Sequence, residues 1–285
     1  MKKFAQLLLT LIPAGIFIVL QLGVSMILTF GYVLKYIAKN GFDVDKYSEY
    51  VLGLTTDSDY LWTVMVVFEV LALITFVLLY FVGLKKKMNT FSNRFSATTF
   101  PAIILLFMGA EFGTGVLLQL SSIAFPKVIE DYAKMIEQSG LGELSLISTI
   151  MTLIAAPIVE ELAFRGVTMH WAKKFSNKFW VVNLIQAFLF GFVHLNIVQG
   201  TYAFLLGLFL GYVANKYNSL WPSILGHLVF NFTGTYLVGL AFGQGPDISF
   251  GRLAIVMLVS VVFVGVAFKL LSNDKDYSET AETVT

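Results

Sequence analysis

Long apolar stretches separated by short polar segments recur along the whole chain. About eight of these stretches approach or exceed the roughly 20 residues that a transmembrane helix requires. They cover approximately residues 8–34, 60–83, 99–124, 145–171, 179–198, 201–217, 222–242 and 253–271, and the sixth is the shortest. The pattern predicts an all-α, polytopic membrane protein with about eight transmembrane helices.

A different pattern occupies residues 126–140, between the third and fourth apolar stretches. Its apolar residues recur at the spacing of one helical face, at Val128, Ile129, Tyr132, Met135 and Ile136, and Gly140 is placed to end the helix. We therefore expect an amphipathic helix at the outer membrane surface. Such a helix either anchors its loop or acts as a lid over a cavity.

The composition agrees with a membrane protein, since 57% of residues are hydrophobic, 13% are charged and the mean hydropathy is +0.80. The net charge of +1 and the lack of a basic patch argue against a nucleic-acid partner. With both termini cytoplasmic, about twelve Lys and Arg lie inside and about six outside, as the positive-inside rule requires. The inside group includes Lys2, Lys3, Lys85, Lys86, Lys87, Arg94, Lys173, Lys174 and Lys178.

The chain divides into four predicted parts. Residues 1–144 hold the first three helices with outer loops, 145–243 a core of helices 4 to 7, 244–272 a last helix, and 273–285 a disordered cytoplasmic tail. The first uncharged run is about twice as long as a signal-peptide core, so it is a retained helix. The short loops suit a bacterial plasma membrane. Cysteine is absent, which excludes disulfides and thiolate chemistry.

Four glutamates lie within the predicted spans: Glu69, Glu111, Glu160 and Glu161. An ionisable group at membrane depth costs at least about 2.5–3.5 kcal/mol, so such groups usually face the bundle interior and serve a function. Glu69 and Glu111 have no motif around them. Each is either a hydrogen-bonded acid or the partner of a charge elsewhere.

The glutamates of the fourth span are arranged. Glu161 and Arg165 are four positions apart and share a helix face, so they can neutralise each other. Glu160 is rotated by about 100° from Glu161 and is left unpaired by Arg165. Pro157 removes a helical hydrogen bond one turn earlier and permits a kink with room for water.

Two of the three histidines lie in later spans. Phe190 and His194 are four residues apart, as are His227 and Asn231, so each pair lies along one helix face. The third, His170, is placed at the membrane interface. With the helices centred on their apolar stretches, His194 and His227 lie about 7 Å from the depth of Glu160, on opposite sides.

These groups suit amide hydrolysis. A carboxylate and a neutral imidazole can bind and deprotonate water, while a second imidazole and a carboxamide offer donors to the oxyanion. A shared site requires Glu160, His194 and His227 to lie within about 10 Å of one another. The same three residues could instead hold zinc, although there is no HExxH motif.

The residues resemble a known family at this point. EELAFRG at 160–166, FGFVH at 190–194 and HLVFN at 227–231 are similar, in order and spacing, to the motifs EExxxR, FxxxH and HxxxN/D. These motifs are typical of the CAAX-protease and bacteriocin-processing family of intramembrane proteases (CPBP, or Abi), which includes the Ras-converting prenyl endopeptidases. The resemblance covers roughly residues 145–243, and the conjunction of three motifs makes it specific.

The resemblance implies an eight-helix membrane protease whose catalytic cavity opens towards the cytoplasm. By motif position, Glu160 and His194 would activate the water, and His227 with Asn231 would stabilise the oxyanion. Glu161 and Arg165 would organise Glu160, and Phe190 would support the site. Family members are described both as metalloproteases and as glutamate-dependent enzymes, so the cofactor is open; we favour water activation without metal and keep zinc as the alternative.

The expected partners are the lipid bilayer and a membrane-associated peptide or protein substrate, such as a pheromone or bacteriocin precursor; the oligomeric state is open. Two other functions compete with protease activity. A transporter or proton relay would draw on Glu69 and Glu111, but the chain has no repeated halves of the transporter kind. A non-catalytic scaffold or bacteriocin self-immunity protein of the same fold would act by contact.

Overall fold

The structure, a computed structural model, describes residues 2–84, 95–138, 145–243 and 249–278. Within these ranges the chain forms ten helices and no strand. They are α1 (Lys2–Asn40), α2 (Val44–Leu54), α3 (Ser58–Gly83), α4 (Thr99–Ala124), α5 (Pro126–Gln138), α6 (Leu146–Phe175), α7 (Phe179–Phe192), α8 (Ile197–Tyr217), α9 (Trp221–Phe242) and α10 (Phe250–Ser272).

Seven of these helices are long and apolar enough to cross a membrane: α1, α3, α4, α6, α8, α9 and α10. The eighth apolar helix, α7, is shorter. The predicted all-α, polytopic membrane fold is therefore confirmed. The membrane orientation stays a prediction, since Lys85, Lys86, Lys87 and Arg94, on which it partly depends, lie outside the described residues.

The boundary between α7 and α8 differs from the predicted one. The predicted fifth span runs to residue 198, whereas α7 ends at Phe192 and α8 already begins at Ile197. The cause is Asn196, whose side chain accepts hydrogen bonds from the first backbone N–H groups of α8 and so starts a new helix. Leu195, with φ of 54°, makes the turn between the two helices.

The short helix α7 is held against α8 by polar side chains. Gln186 donates to the Gly207 carbonyl at 2.8 Å, and Asn183 donates to the Leu208 carbonyl at 3.0 Å. A Cβ atom at Gly211 would collide with both amide side chains. The small-residue segment 207–211 thus allows two helices of the same chain to approach closely.

Helix α6 contacts α1, α3, α7 and α9. Two π-helical segments, Met151–Ala155 and Glu161–Thr168, interrupt it on either side of Pro157. A local distortion is expected there, because proline removes a backbone donor. Such segments are frequent at functional sites, and every residue of the second one is buried.

Asp274, just beyond α10, ties the C-terminal segment to the bundle. Its carboxylate accepts hydrogen bonds from Ser96, Thr99 and Tyr217, and its backbone carbonyl accepts one from Lys216. Burial favours the neutral acid, but these hydrogen bonds and the Lys216 charge outweigh it and lower the pKa of Asp274. The segment predicted to be a disordered tail contacts the bundle as far as Tyr277, whose backbone N–H donates to the Lys216 carbonyl at 2.8 Å, while 279–285 lie outside the described residues.

Asp274→Asn is expected to lower the free energy of unfolding by about 2 kcal/mol at pH 7, since hydrogen bonds to a charged acceptor are lost. A depressed pKa in the folded state stabilises the protein above the ordinary pKa of about 3.9, and this contribution is lost as the pH falls below it. Thermal unfolding in detergent at pH 7 and at acid pH should show the two proteins converge at acid pH. Asp276→Asn is the control, because among the described residues that carboxylate accepts hydrogen bonds from Ser278 of its own turn.

Candidate active site

Five of the seven predicted site residues line one cavity of about 800 Å³, and Glu161 and Arg165 lie behind its wall. Its wall includes Glu160, Phe190, His194, His227 and Asn231. His194 and His227 both pack edge-on against the Phe190 ring, with centroid distances of 5.1 and 5.7 Å. The structure therefore brings the three sequence motifs to one place, whereas His170 lies further along α6 and does not line the cavity.

His227 lies between the two adjacent glutamates of α6. Its Nδ1 is 3.0 Å from Glu161 Oε1, and its Nε2 is 3.5 Å from Glu160 Oε2. The same Glu161 oxygen accepts a hydrogen bond from Arg165 Nη1 at 2.8 Å. A continuous row of four side chains results, running from Arg165 through Glu161 and His227 to Glu160 at the cavity.

Glu161 and Arg165, at the buried end of this row, fix the orientation and the tautomer of the His227 imidazole. Glu161 and Arg165 are fully buried, and their ion pair keeps Glu161 an acceptor. His227 Nδ1 therefore donates its hydrogen to Glu161, and in the neutral ring Nε2 carries the lone pair that faces Glu160. Glu161 orients a potential base in this way.

One predicted relationship differs in the structure. The resemblance implies that Glu161 and Arg165 organise Glu160, but their side-chain contacts go to His227 and Phe190 instead. The Arg165 guanidinium lies over the Phe190 ring at 4.3 Å. The physical reason is that His227 reaches from α9 into the space between the two carboxyl groups, which side-chain spacing along one helix does not reveal.

His194 follows the end of α7 and is fixed by that helix end. Its backbone N–H bonds to the Gly191 carbonyl, which leaves the Phe190 carbonyl to accept from the ring Nδ1 at 2.7 Å. Because a carbonyl only accepts, Nδ1 carries the hydrogen, and Nε2 is an acceptor in the neutral ring. Both cavity histidines thus present the same tautomer.

Asn231 faces the first π-helical segment of α6. There the Ala156 N–H donates to the carbonyl of Met151, five residues earlier. The residue five positions after Thr152 is Pro157, which has no N–H to donate to the Thr152 carbonyl. The Thr152 carbonyl instead accepts a hydrogen bond from Asn231 Nδ2 at 2.9 Å. One N–H of the Asn231 amide remains for another acceptor.

Two cavity acids have no sequence motif. Glu69 and Glu111 both line the cavity, and each has a buried Oε2 atom without a hydrogen-bond partner among the described residues. Glu69 lies close enough to Glu160 for their charges to interact. Their position at membrane depth is the only sequence signal that pointed to them.

The amphipathic helix α5 forms part of the cavity wall through Tyr132 and Ile136. The hydroxyl of Tyr132 is 3.0 Å from that of Tyr202 on α8, which also lines the cavity. The lid interpretation of this helix therefore describes its position better than a loop anchor does. No Lys or Arg is among the described residues that line the cavity.

The zinc alternative requires Glu160, His194 and His227 to converge on one point. Over the described ranges, no group of three His, Cys, Asp or Glu side chains is arranged to hold a metal ion. His227 Nδ1 is engaged by Glu161 and His194 Nδ1 by a carbonyl, which leaves one nitrogen on each ring. The free Nε2 atoms could ligate a metal, because metal-ligating histidines commonly donate Nδ1–H to a carboxylate or a carbonyl, so it is the spacing of the three side chains that does not fit a zinc site.

The described helices thus surround a cavity lined by acids, imidazoles and an amide, groups that can serve hydrolysis. Residues 142–233 match the family model described as Rce1-like, type II CAAX prenyl endopeptidase. The match spans about a third of the chain and confirms the resemblance to the CPBP family over these residues. This family comparison supports protease activity of the CAAX type. No curated protein and no solved structure gave a significant match.

Proposed function

We propose that this protein is an intramembrane endopeptidase that hydrolyses small membrane-associated peptides or proteins with an activated water. The observation that carries the proposal is the contact of Glu160 with His227 on a cavity wall, with Glu161 and Arg165 behind the imidazole. A hydrolytic base needs an oriented acceptor next to a space for water and substrate, and this pair provides both.

In the proposed reaction, the Glu160 carboxylate and the Nε2 atom of His194 hold the water. Glu160 takes one proton as the water oxygen bonds to the substrate carbonyl carbon, and the free N–H of Asn231 faces the resulting oxyanion. The carbon–nitrogen bond then breaks, and the proton passes to the leaving nitrogen through Glu160 and His227 Nε2. His227 thus serves as a proton carrier in addition to its implied role beside the oxyanion.

We further propose that both termini are cytoplasmic, as the basic residues predict, and that the membrane is a plasma membrane. The cavity lies towards the helix ends that carry α2 and α5, since its wall includes Leu61, Leu118, Tyr132, Gln199 and Val238. With cytoplasmic termini, this side is the outer one. The cytoplasmic opening that the resemblance implies disagrees with this placement, and we favour the orientation that the basic residues require.

The proposal is tested by comparing peptide termini in membranes of the native host that express either the wild type or Glu160→Gln at matched levels. Specific peptides are expected to accumulate uncut in the variant, because the amide cannot accept a proton from water. The cut sites would identify the substrate class. Identical profiles, together with a phenotype on deletion of the gene, would replace the protease by a scaffold or self-immunity protein that acts by contact.

A further inference from the structure

Glu111 lies on the cavity wall apart from the row of side chains that ends at Glu160. Its side chain is only 9% exposed, and its Oε2 atom has no hydrogen-bond partner among the described residues. A carboxyl group in such a position at membrane depth is costly unless something offsets it. No Lys or Arg of the described chain lines the cavity, so the described residues do not supply a compensating positive charge.

The surroundings of Glu111 form a polar recess. Tyr132 and Tyr202 line the same cavity as Glu111 and lie within electrostatic range of its carboxyl group, and their hydroxyl groups are 3.0 Å from each other. Space for the carboxyl group depends on Gly234, where a Cβ atom would come within 2.7 Å of Glu111 Oε1. One carboxyl, two hydroxyls and two aromatic rings are groups that receive a cation well.

We propose that this recess, formed by Glu111, Tyr132 and Tyr202, binds an ammonium group of the substrate, either a Lys side chain or a free amino terminus. The inference rests on the proposed function, because it assumes that the cavity receives a peptide. An ammonium donates three hydrogen bonds, which matches one carboxyl and two hydroxyl acceptors. Substrates with a positive charge near the scissile bond are then selected, and a carboxylate in the same place is rejected.

Binding distinguishes the two sources of the ammonium group. The full-length Glu160→Gln protein is placed in nanodiscs of zwitterionic lipid and titrated with three fluorescent Ala/Leu peptides. The first has a blocked amino terminus and a central Lys, the second a free amino terminus and a central norleucine, and the third a blocked terminus and a norleucine. Binding to empty nanodiscs is subtracted from each titration.

At least one of the two charged peptides is expected to bind about tenfold more tightly than the uncharged one, because a close charge pair in a desolvated pocket contributes at least this much. The charged peptide that gains affinity identifies the source. Glu111→Gln should remove the preference, whereas Glu130→Gln should keep it, since Glu130 is exposed on α5 and pairs with Lys134.

Equal affinities for all three peptides in the protein with Glu111 intact would overturn the inference, and this comparison needs no Glu111 variant to fold. An unchanged preference in a folded Glu111→Gln protein would overturn it as well. Cleavage of the same peptides by the wild type is measured separately. A charge preference without cleavage would refute the protease activity and leave the ammonium site in place. Cleavage without a charge preference would refute the ammonium site and leave the protease activity in place.

Discussion

Glu160→Gln is expected to lower the rate of peptide cleavage by about 10³-fold, and His227→Ala by a similar factor, because each removes a group that carries the transferred proton. The double variant is expected to be about as slow as either single one. Side chains that act as a unit in catalysis have strongly non-additive effects, and Glu160 and His227 are in contact. Turnover of a cleavable substrate peptide by the four purified proteins measures this directly.

The matched control is Glu130→Gln, which removes an exposed carboxylate of α5 outside the cavity. It should leave the turnover number unchanged. Multiplicative losses in the double variant would mean that Glu160 and His227 contribute independently, and the proton path through both would then be wrong. Full activity of the Glu160→Gln protein would remove the proposed base altogether.

The sequence was sufficient for the fold class because length and apolar periodicity decide whether a helix can cross the bilayer. The motif spacings shared with the CPBP family also predicted that Glu160, His194, His227 and Asn231 lie together, and all four line the same cavity. Membrane depths estimated from the helix centres placed His194 and His227 on opposite sides of Glu160. In the structure His227 Nε2 is nevertheless 3.5 Å from Glu160 Oε2, and His194 packs on the same Phe190 ring as His227, so helix centres are a poor guide to these positions.

Two features could not be read from one-dimensional spacing. The contact of Glu161 with His227 depends on how α9 faces the π-helical part of α6, whereas an ideal α-helix was assumed for the glutamates. The approach of Glu69 and Glu111 to the same cavity depends on how α3 and α4 pack in the bundle. Single acids without a motif carry no information about which helices surround them.

The buried Glu161–Arg165 pair behind the site has side-chain atoms without hydrogen-bond partners among the described residues. Glu161 Oε2, together with Nε and Nη2 of Arg165, has no hydrogen-bond partner among the described residues. The hydrogen bonds that Glu161 accepts from Arg165 and His227, together with the Phe190 ring over the guanidinium, therefore carry most of the compensation for a fully buried charge pair. A pair compensated in this way is sensitive to the loss of either partner.

Glu161→Ala is therefore expected to destabilise the protein by about 3–5 kcal/mol, because it leaves the Arg165 guanidinium buried without a counter-charge. The same change removes the acceptor that orients His227, so cleavage should fall as well. Thermal unfolding in detergent and the turnover number of the remaining folded protein measure the two effects. Equal stability and full activity of the variant would contradict both roles of Glu161.

A double variant separates the two roles. Glu161→Leu with Arg165→Met replaces the buried pair by apolar groups, which is often neutral or stabilising, so most of the lost stability should return. Activity should stay low, because His227 Nδ1 still lacks its acceptor and the tautomer is no longer fixed. Recovery of activity together with stability would show that Glu161 acts only through folding, and the row from Arg165 to Glu160 would then be a structural feature without a part in proton transfer.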